Sequence, residues 1–143
     1  MEKIVITGNK NEIGKSTLAF NIAYGLAIEG RSVGIIEIYK ESSYMADIMK
    51  ESVEKYKNPQ IMQGIIKLMV VSEKEADEKF KTDILNEELW SGVEYLIIEI
   101  PFSKKEIIKK IKGGKSLIIT ESCEELEQDI EKSLEILIET NLE

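Results

Sequence analysis

The feature that most constrains the fold is a stretch near the N-terminus in which a polar loop joins a short apolar run to a helix. Ile4-Val5-Ile6 is β-branched and predicts a strand, and Gly14-Lys15-Ser16-Thr17 opens an amphipathic helical pattern that continues to about Glu29. Backbone N–H groups in such a loop and at the start of the helix converge on an anion, and the helix dipole adds to the attraction. The stretch therefore predicts a strand–loop–helix unit that binds phosphate.

This order of elements is that of the P-loop, or Walker A motif. The motif lysine, here Lys15, reaches the β- and γ-phosphates, and the hydroxyl that follows it, here Ser16, coordinates Mg²⁺. The common pattern has a glycine where this chain has Asn9, and Gly8 lies one residue earlier. The predicted nucleotide-binding residues run from the end of the strand into the helix: Gly8, Asn9, Lys10, Asn11, Glu12, Ile13, Gly14, Lys15, Ser16 and Thr17.

The rest of the sequence alternates between strand and helix patterns. Nearly continuous apolar runs predict further strands at 33–38, 65–71, 95–100 and 116–120, as in a parallel sheet covered on both faces. Helices are predicted over about 43–56 and after serine–glutamate capping boxes at Ser72, Ser103 and Ser122. We therefore predict an α/β fold in one domain, residues 1–143, with a doubly wound, mainly parallel five-stranded sheet and helices on both faces.

The loop Lys10-Asn11-Glu12-Ile13-Gly14-Lys15-Ser16-Thr17 resembles the Lys-Gly-Gly-Val-Gly-Lys-Thr/Ser-Thr loop of the MinD/ParA family of ATPases. The resemblance implies a protein that binds ATP and Mg²⁺. It also makes Lys10 the signature lysine, which in that family reaches across a dimer to the partner's nucleotide. Asn11 and Glu12 replace two glycines of the loop. The sequence ends soon after the fifth predicted helix, whereas family members usually continue, so we expect adenine recognition to be weak or to come from elsewhere.

A second resemblance lies in the predicted fourth strand and the residues after it. Residues 95–101 are similar to the family's Walker B strand, which ends in Asp-x-Pro-x-Gly; the proline matches, and Glu99 stands in place of the aspartate. The resemblance implies that Glu99 and Ser16 together hold Mg²⁺. Lys10, Lys15 and Glu99 are then the expected catalytic residues.

The position expected to orient the attacking water departs from the family pattern. There the second strand leads into Asp-x-Asp, whose second aspartate helps to position the water, whereas the residues here are Glu37-Ile38-Tyr39. Tyrosine has a reference pKa near ~10, which makes it a poor general base at neutral pH, and the chain contains no histidine. We therefore expect hydrolysis to be slow or to depend on a partner. Glu37 and Glu41 are the candidate replacements.

Two other hypotheses fit the same residues. The first is a non-catalytic nucleotide-binding interaction module, in which the P-loop remains and hydrolysis has decayed. The second is an ATP-dependent carboxylate-activating enzyme, because Thr7-Gly8, Lys40 and Glu99 resemble residues of dethiobiotin synthetase. The glycine-rich segment that follows the glutamate in that enzyme is absent here. Its loop also has no lysine that matches Lys10.

Composition limits the compartment and the partners. The net charge of -8 argues against nucleic acid and anionic membranes as direct partners, because those contacts need clustered lysine and arginine. A single cysteine excludes an internal disulfide, and the sequence shows no secretory signal and no apolar run of spanning length. We therefore expect a cytoplasmic protein. Its expected partners are a nucleotide, a second copy of the chain, and a protein that activates hydrolysis.

Overall fold

The computed structural model describes residues 1–8, 14–62, 64–79, 85, 88–111 and 114–119. Strands and helices alternate along these residues. The strands are β1 (Glu2–Gly8), β2 (Val33–Tyr39), β3 (Gln60–Met62), β4 (Ile66–Ser72), β5 (Tyr95–Glu99) and β6 (Gly114–Ile119). The helices are α1 (Lys15–Ile28), α2 (Tyr44–Met49) and α3 (Glu73–Lys79), with 3₁₀ segments at Val53–Tyr56 and Phe102–Lys110.

The strands form one sheet in the order β3-β4-β2-β5-β1-β6. All neighbouring pairs are parallel except β3 and β4, which run antiparallel at one edge. The predicted α/β class and the five predicted parallel strands are confirmed. The sheet has in addition the edge strand β3, whose three residues are too few for a periodic pattern to reveal. Because the other five strands are parallel, their carboxyl ends meet at one edge of the sheet, where open α/β sheets bind ligands.

Alternate residues of the strands build two cores, one on each face of the sheet. The first core lies under α1 and includes Ile6, Ala19, Ala23, Ile35, Leu68 and Ile97. The second includes Val5, Ile36, Met69, Trp90, Ile98, Ile107, Ile108 and Ile111. Successive side chains of a strand point to opposite faces, so Glu37 and Glu99 lie on the α1 face, as Ile35 and Ile97 do.

The predicted helix over 43–56 is two separate pieces. The helix α2 ends at Met49 because Lys50 adopts a left-handed conformation, with φ 55° and ψ 40°. Ser52 then starts the 3₁₀ turn Val53–Tyr56 by accepting a hydrogen bond from the Glu54 N–H at 3.2 Å. A left-handed residue stops the α-helix, and the pattern of apolar residues does not reveal it.

The predicted capping boxes have different outcomes. The serine half of the one at Ser72 is confirmed: its Oγ accepts the Glu75 N–H at 3.2 Å at the start of α3, and its hydroxyl donates to the Glu75 carboxylate at 3.1 Å. The one at Ser103 is wrong: Pro101 occupies the N-cap position of that 3₁₀ segment without a side-chain hydrogen bond, and the Ser103 hydroxyl donates to Glu73 at 3.1 Å. The helix predicted after Ser122 lies outside the described residues. None of the helices in the described part of the chain has both the length and the apolarity that crossing a membrane requires.

Candidate functional site

The buried polar side chains of the described residues gather at the carboxyl edge of the sheet. Side chains of this kind are uncommon in protein interiors and concentrate at functional sites. The full set is Thr7, Lys15, Glu37, Ser43 and Glu99. All of them lie at the ends of β1, β2 and β5 or at the starts of the helices that follow β1 and β2. The structure therefore points to one candidate site.

The register of the sheet brings two carboxylates together. In the parallel pairing of β2 with β5, Glu37 is the direct neighbour of Glu99. Neighbouring strands are about 4.8 Å apart, so the two side chains leave the same face of the sheet side by side. Glu37 is 1% exposed and Glu99 is 5% exposed. The fold thus holds two acidic groups next to each other, away from water.

The start of α1 places a hydroxyl between these carboxylates. Gly14 turns the chain into the helix with φ 82° and ψ 11°, a left-handed conformation that glycine adopts without steric cost. Ser16, two residues later, has its Oγ 2.6 Å from Glu99 Oε1 and 3.2 Å from Glu37 Oε2. A hydroxyl has a single hydrogen to donate, so it cannot satisfy both acceptors. One of the two carboxylate contacts of Ser16 therefore has no hydrogen donated to it.

The two carboxylates differ in how firmly they are held. The Ser43 hydroxyl donates to Glu37 Oε1, and the Met45 N–H donates to Glu37 Oε2 at 3.3 Å. In contrast, Glu99 Oε2 is buried without a hydrogen-bond partner in the described part of the chain, as is Thr7 Oγ1. Since a backbone N–H can only donate, Glu37 is fixed as an acceptor. Glu99 is the carboxylate with an oxygen left to bind a proton, a water or a cation.

Burial makes both carboxylates weaker acids. Desolvation, and then the charge of Glu37, raise the pKa of Glu99 to about 7, against the opposing effects of the Ser16 hydroxyl and Lys15. Desolvation also raises the pKa of Glu37, although hydrogen bonds from Ser43, Met45 and Ser16 oppose the change. At neutral pH the site therefore binds a proton readily, and a divalent cation would compete with that proton.

A pocket of about 550 Å³ lies over the cluster. On one side it is bounded by residues 14–17, and on the other by residues 37–42 together with Tyr44 and Asp47. Within this lining, the carboxylates are Glu37, Glu41, Asp47 and Glu99, and the lysines are Lys15 and Lys40. A polyanion would meet a net negative lining, so its entry would be favoured by a divalent cation at the carboxylates.

The predicted site residues that the structure describes come together only in part. Gly14, Lys15, Ser16, Thr17 and Glu99 line the one pocket, and Gly8 ends β1 beside β6. The remaining predicted residues, Asn9, Lys10, Asn11, Glu12 and Ile13, lie outside the described residues.

Tyr39 and Thr17, two residues for which the sequence predicted a role, lie at the pocket margin. Tyr39 ends β2 and is partly buried; burial and the charges of Glu75 and Glu54 raise the pKa of its phenol above the ordinary value of 10. The phenol stays protonated at neutral pH, as a poor general base should. Thr17 donates from its hydroxyl to the Tyr44 hydroxyl at 3.1 Å, which links the starts of α1 and α2.

Sequence reasoning gave too little weight to Glu37 and Ser43. It named Glu37 only as one candidate for orienting water and Ser43 only as the start of a helix. A signal for Glu37 was available, because it is the only charged residue in the apolar run of β2. No comparable signal marks Ser43, since serines also occupy positions 42 and 52.

The cluster fits a hydrated magnesium ion better than a metal held by protein alone. Among the described residues there is no group of three or more acidic, cysteine or histidine side chains that could hold a metal. Mg²⁺ usually keeps several waters and is held through one or two carboxylates together with substrate phosphates. The Ser16 hydroxyl and the unpartnered Glu99 oxygen supply ligands of that type.

Comparison with known proteins identifies the family. The sequence profile of the family described as ATPase MipZ matches residues 2–125, a range that contains every element of the site. No protein of curated function matches the chain. The family match covers most of the sequence, and it agrees with the resemblance to MinD/ParA proteins seen in the P-loop. The chain therefore belongs to the MipZ family of ATPases, within the MinD/ParA-like group.

Proposed function

We propose that this chain, as a single domain over residues 1–143, binds ATP together with Mg²⁺ at the P-loop and hydrolyses it slowly or only with a partner. The observation that carries the proposal is the position of the Ser16 hydroxyl between the buried carboxylates of Glu37 and Glu99. A P-loop hydroxyl beside strand-end carboxylates is the arrangement that holds Mg²⁺ in P-loop enzymes. Family membership supports an ATPase over a carboxylate-activating ligase.

The first turn of α1 suits the phosphates. Lys15 is 5% exposed and lowers the pKa of Glu99 through its charge, so its ammonium acts within the carboxylate cluster. A lysine at this place in the motif contacts the β- and γ-phosphates. The N-terminus of a fourteen-residue helix adds N–H donors and a favourable dipole. The proposed phosphate-binding residues are those of the P-loop, from Gly8 to Thr17.

The proposed division of labour follows from the contacts of the two carboxylates. When bound, a divalent cation would supply positive charge next to the phosphates. Ser16 and Glu99 would hold that ion, since one oxygen of Glu99 has no hydrogen-bond partner among the described residues. Glu37 accepts hydrogen bonds from Ser43 and Met45, and these contacts hold its carboxylate in one orientation.

The proposed slow turnover rests on what the site lacks at the water position. Tyr39 keeps its proton at neutral pH, because burial and nearby carboxylates raise the pKa of its phenol. Glu37 is held by its hydrogen bonds, and Glu41 is exposed at the rim of the pocket. The same observation favours the second candidate, a nucleotide-binding module without turnover. The proposed partners are a second copy of the chain, whose nucleotide Lys10 would contact, and a protein in the cytoplasm that activates hydrolysis.

Calorimetric titration with ATP, ADP and GTP, each with Mg²⁺ and with EDTA, tests the proposal. The parent should bind nucleotide much more tightly with Mg²⁺. Lys15→Ala should weaken that binding about 10- to 100-fold, because charge-assisted phosphate contacts are worth roughly 1.5–3 kcal/mol. Lys74→Ala, at an exposed lysine of α3, is the matched control and should bind as the parent does. Equal binding by parent and Lys15→Ala would refute the site assignment.

A further inference from the structure

The Glu37 carboxylate joins the starts of two helices. From α1 it faces the Ser16 hydroxyl at 3.2 Å, and from α2 it accepts the Met45 N–H at 3.3 Å. Its other oxygen accepts the hydroxyl of Ser43, the N-cap residue of α2. One buried side chain therefore connects the proposed cation site to the beginning of α2.

Ser43 occupies the middle of this connection and performs two tasks at once. Its Oγ accepts the Ala46 N–H at 3.0 Å, which caps α2, and its own hydrogen goes to Glu37. The residue is 2% exposed, so both contacts lie away from bulk water. The hydrogen bonds run in one direction, from the Ala46 N–H to the Ser43 oxygen and from the Ser43 hydrogen to the carboxylate.

The helix at the far end of this chain of contacts has little stability of its own. α2 has six residues and ends at the left-handed Lys50. Helices of this length are marginal without capping and tertiary contacts. Beyond Ser43, the start of α2 is tied to α1 through the hydrogen bond between Thr17 and Tyr44, which is exposed. The position of α2 therefore depends on the packing of Met45 and Ala46 in the core and on the buried connection through Glu37.

We propose that Ser43 is a positioning residue: it aims Glu37 at Ser16 and ties the start of α2 to the cation site. This inference rests on the proposed function, because it concerns how the binding of Mg²⁺ and nucleotide at Ser16 affects α2. Without the Ser43 hydroxyl, Glu37 Oε1 loses its donor, and the Met45 N–H alone then holds the carboxylate toward Ser16 from the side of α2. Binding of the cation should weaken, and the binding energy should no longer order α2.

The test separates carboxylate positioning from helix capping. Glycine is nearly as good an N-cap residue as serine, so Ser43→Gly keeps most of the cap while removing the donor to Glu37. Ser43→Thr keeps both the cap and the donor. The matched control is Ser52→Gly, at the exposed serine that starts the next helical turn and whose hydroxyl bonds only the Glu54 N–H in the described contacts. Urea unfolding of each variant establishes that it folds.

Two readouts are taken with ADP as the probe, in Mg²⁺ and in EDTA. The first is the affinity ratio between the two conditions; the second is the gain in amide-hydrogen protection of residues 44–49 when Mg²⁺ and ADP bind. Ser43→Gly should lower the ratio about tenfold and abolish most of the gain. Ser43→Thr and Ser52→Gly should behave as the parent does.

The outcomes distinguish this inference from the proposed function. If the parent binds Mg²⁺–ADP and Ser43→Gly keeps both the affinity ratio and the gain in protection, Ser43 is only a cap and the inference is overturned. If Ser43→Gly fails to fold, Ser43→Thr decides: a folded threonine variant with a lowered affinity ratio overturns the role of the hydroxyl, and parental values support it. If the parent itself shows no Mg²⁺-dependent binding, the proposed function fails first.

Discussion

Replacing Glu99 with glutamine should make the protein more stable at neutral and alkaline pH. The pKa of Glu99 is about 7 in the folded protein against an ordinary value of 4.5, so between these values the unfolded chain loses a proton that the folded chain keeps. Below pH 4.5 both states are protonated and no penalty exists. Each pH unit above it costs ~1.4 kcal/mol until pH 7, so the folded parent should lose about 3 kcal/mol in total. Glu99→Gln removes this loss.

The assay is urea unfolding in EDTA from pH 5 to pH 8.5, followed by circular dichroism and by the fluorescence of Trp90. Trp90 is the only tryptophan of the chain and is 2% exposed, so its emission reports loss of the core. The free energy of unfolding of Glu99→Gln, relative to the parent, should rise with pH and level off above pH 7. Glu29→Gln, at an exposed carboxylate, should follow the parent at every pH. Parallel profiles for parent and Glu99→Gln would refute the claim that burial raises the pKa of this carboxylate.

Three further predictions concern turnover, association and packing. Tyr39→Asp, alone or with Glu99→Asp, should raise the single-turnover rate of ATP hydrolysis, because it restores a carboxylate where the family positions water; no gain in the double variant would favour the binding-module hypothesis. With a non-hydrolysable ATP analogue and Mg²⁺, the parent should sediment as a dimer and Lys10→Ala as a monomer; a parent that stays monomeric at saturating nucleotide would remove the role of this lysine across the interface. Gly34→Ala should destabilise the protein by about 1–3 kcal/mol in urea unfolding, since a Cβ there would lie 2.6 Å from the buried tryptophan ring. Gly25→Ala is the control for that change, because a Cβ there meets no atom within 4 Å and an alanine stabilises a helix interior.

The sequence predicted the parallel strands and the start of α1 well because their signals are local. An apolar run of the length seen in β2 or β4 has few alternatives to a buried strand, and the Gly-Lys-Ser-Thr sequence starts a helix after such a strand. The end of α2 was not predictable in this way. It depends on the left-handed conformation of one residue, Lys50. A glycine at that position would have indicated this conformation, but a lysine does not.

The site was predictable only as far as single motifs reach. Ser16 and Glu99 each belong to a recognisable motif, and the structure brings them within 2.6 Å of each other. The role of Glu37 depends on the register that makes it the neighbour of Glu99, and the role of Ser43 depends on where a loop returns to that carboxylate. Such contacts join residues that are far apart in the sequence or that lie in an irregular loop. The spacing of residues in the sequence therefore does not predict them.

In the function proposed here, Ser16 and Glu99 hold the divalent cation of a bound nucleotide. Titration of Mn²⁺, as a paramagnetic substitute for Mg²⁺, into the ADP-saturated protein measures this directly by electron paramagnetic resonance. We expect tight binding by the parent and a loss of at least about tenfold in affinity for Ser16→Ala and for Glu99→Gln, which each remove a charged or charge-assisted ligand contact. Glu106→Gln, at an exposed carboxylate, should bind as the parent does. Parental Mn²⁺ affinity in both Ser16→Ala and Glu99→Gln would show that these two side chains do not hold the cation.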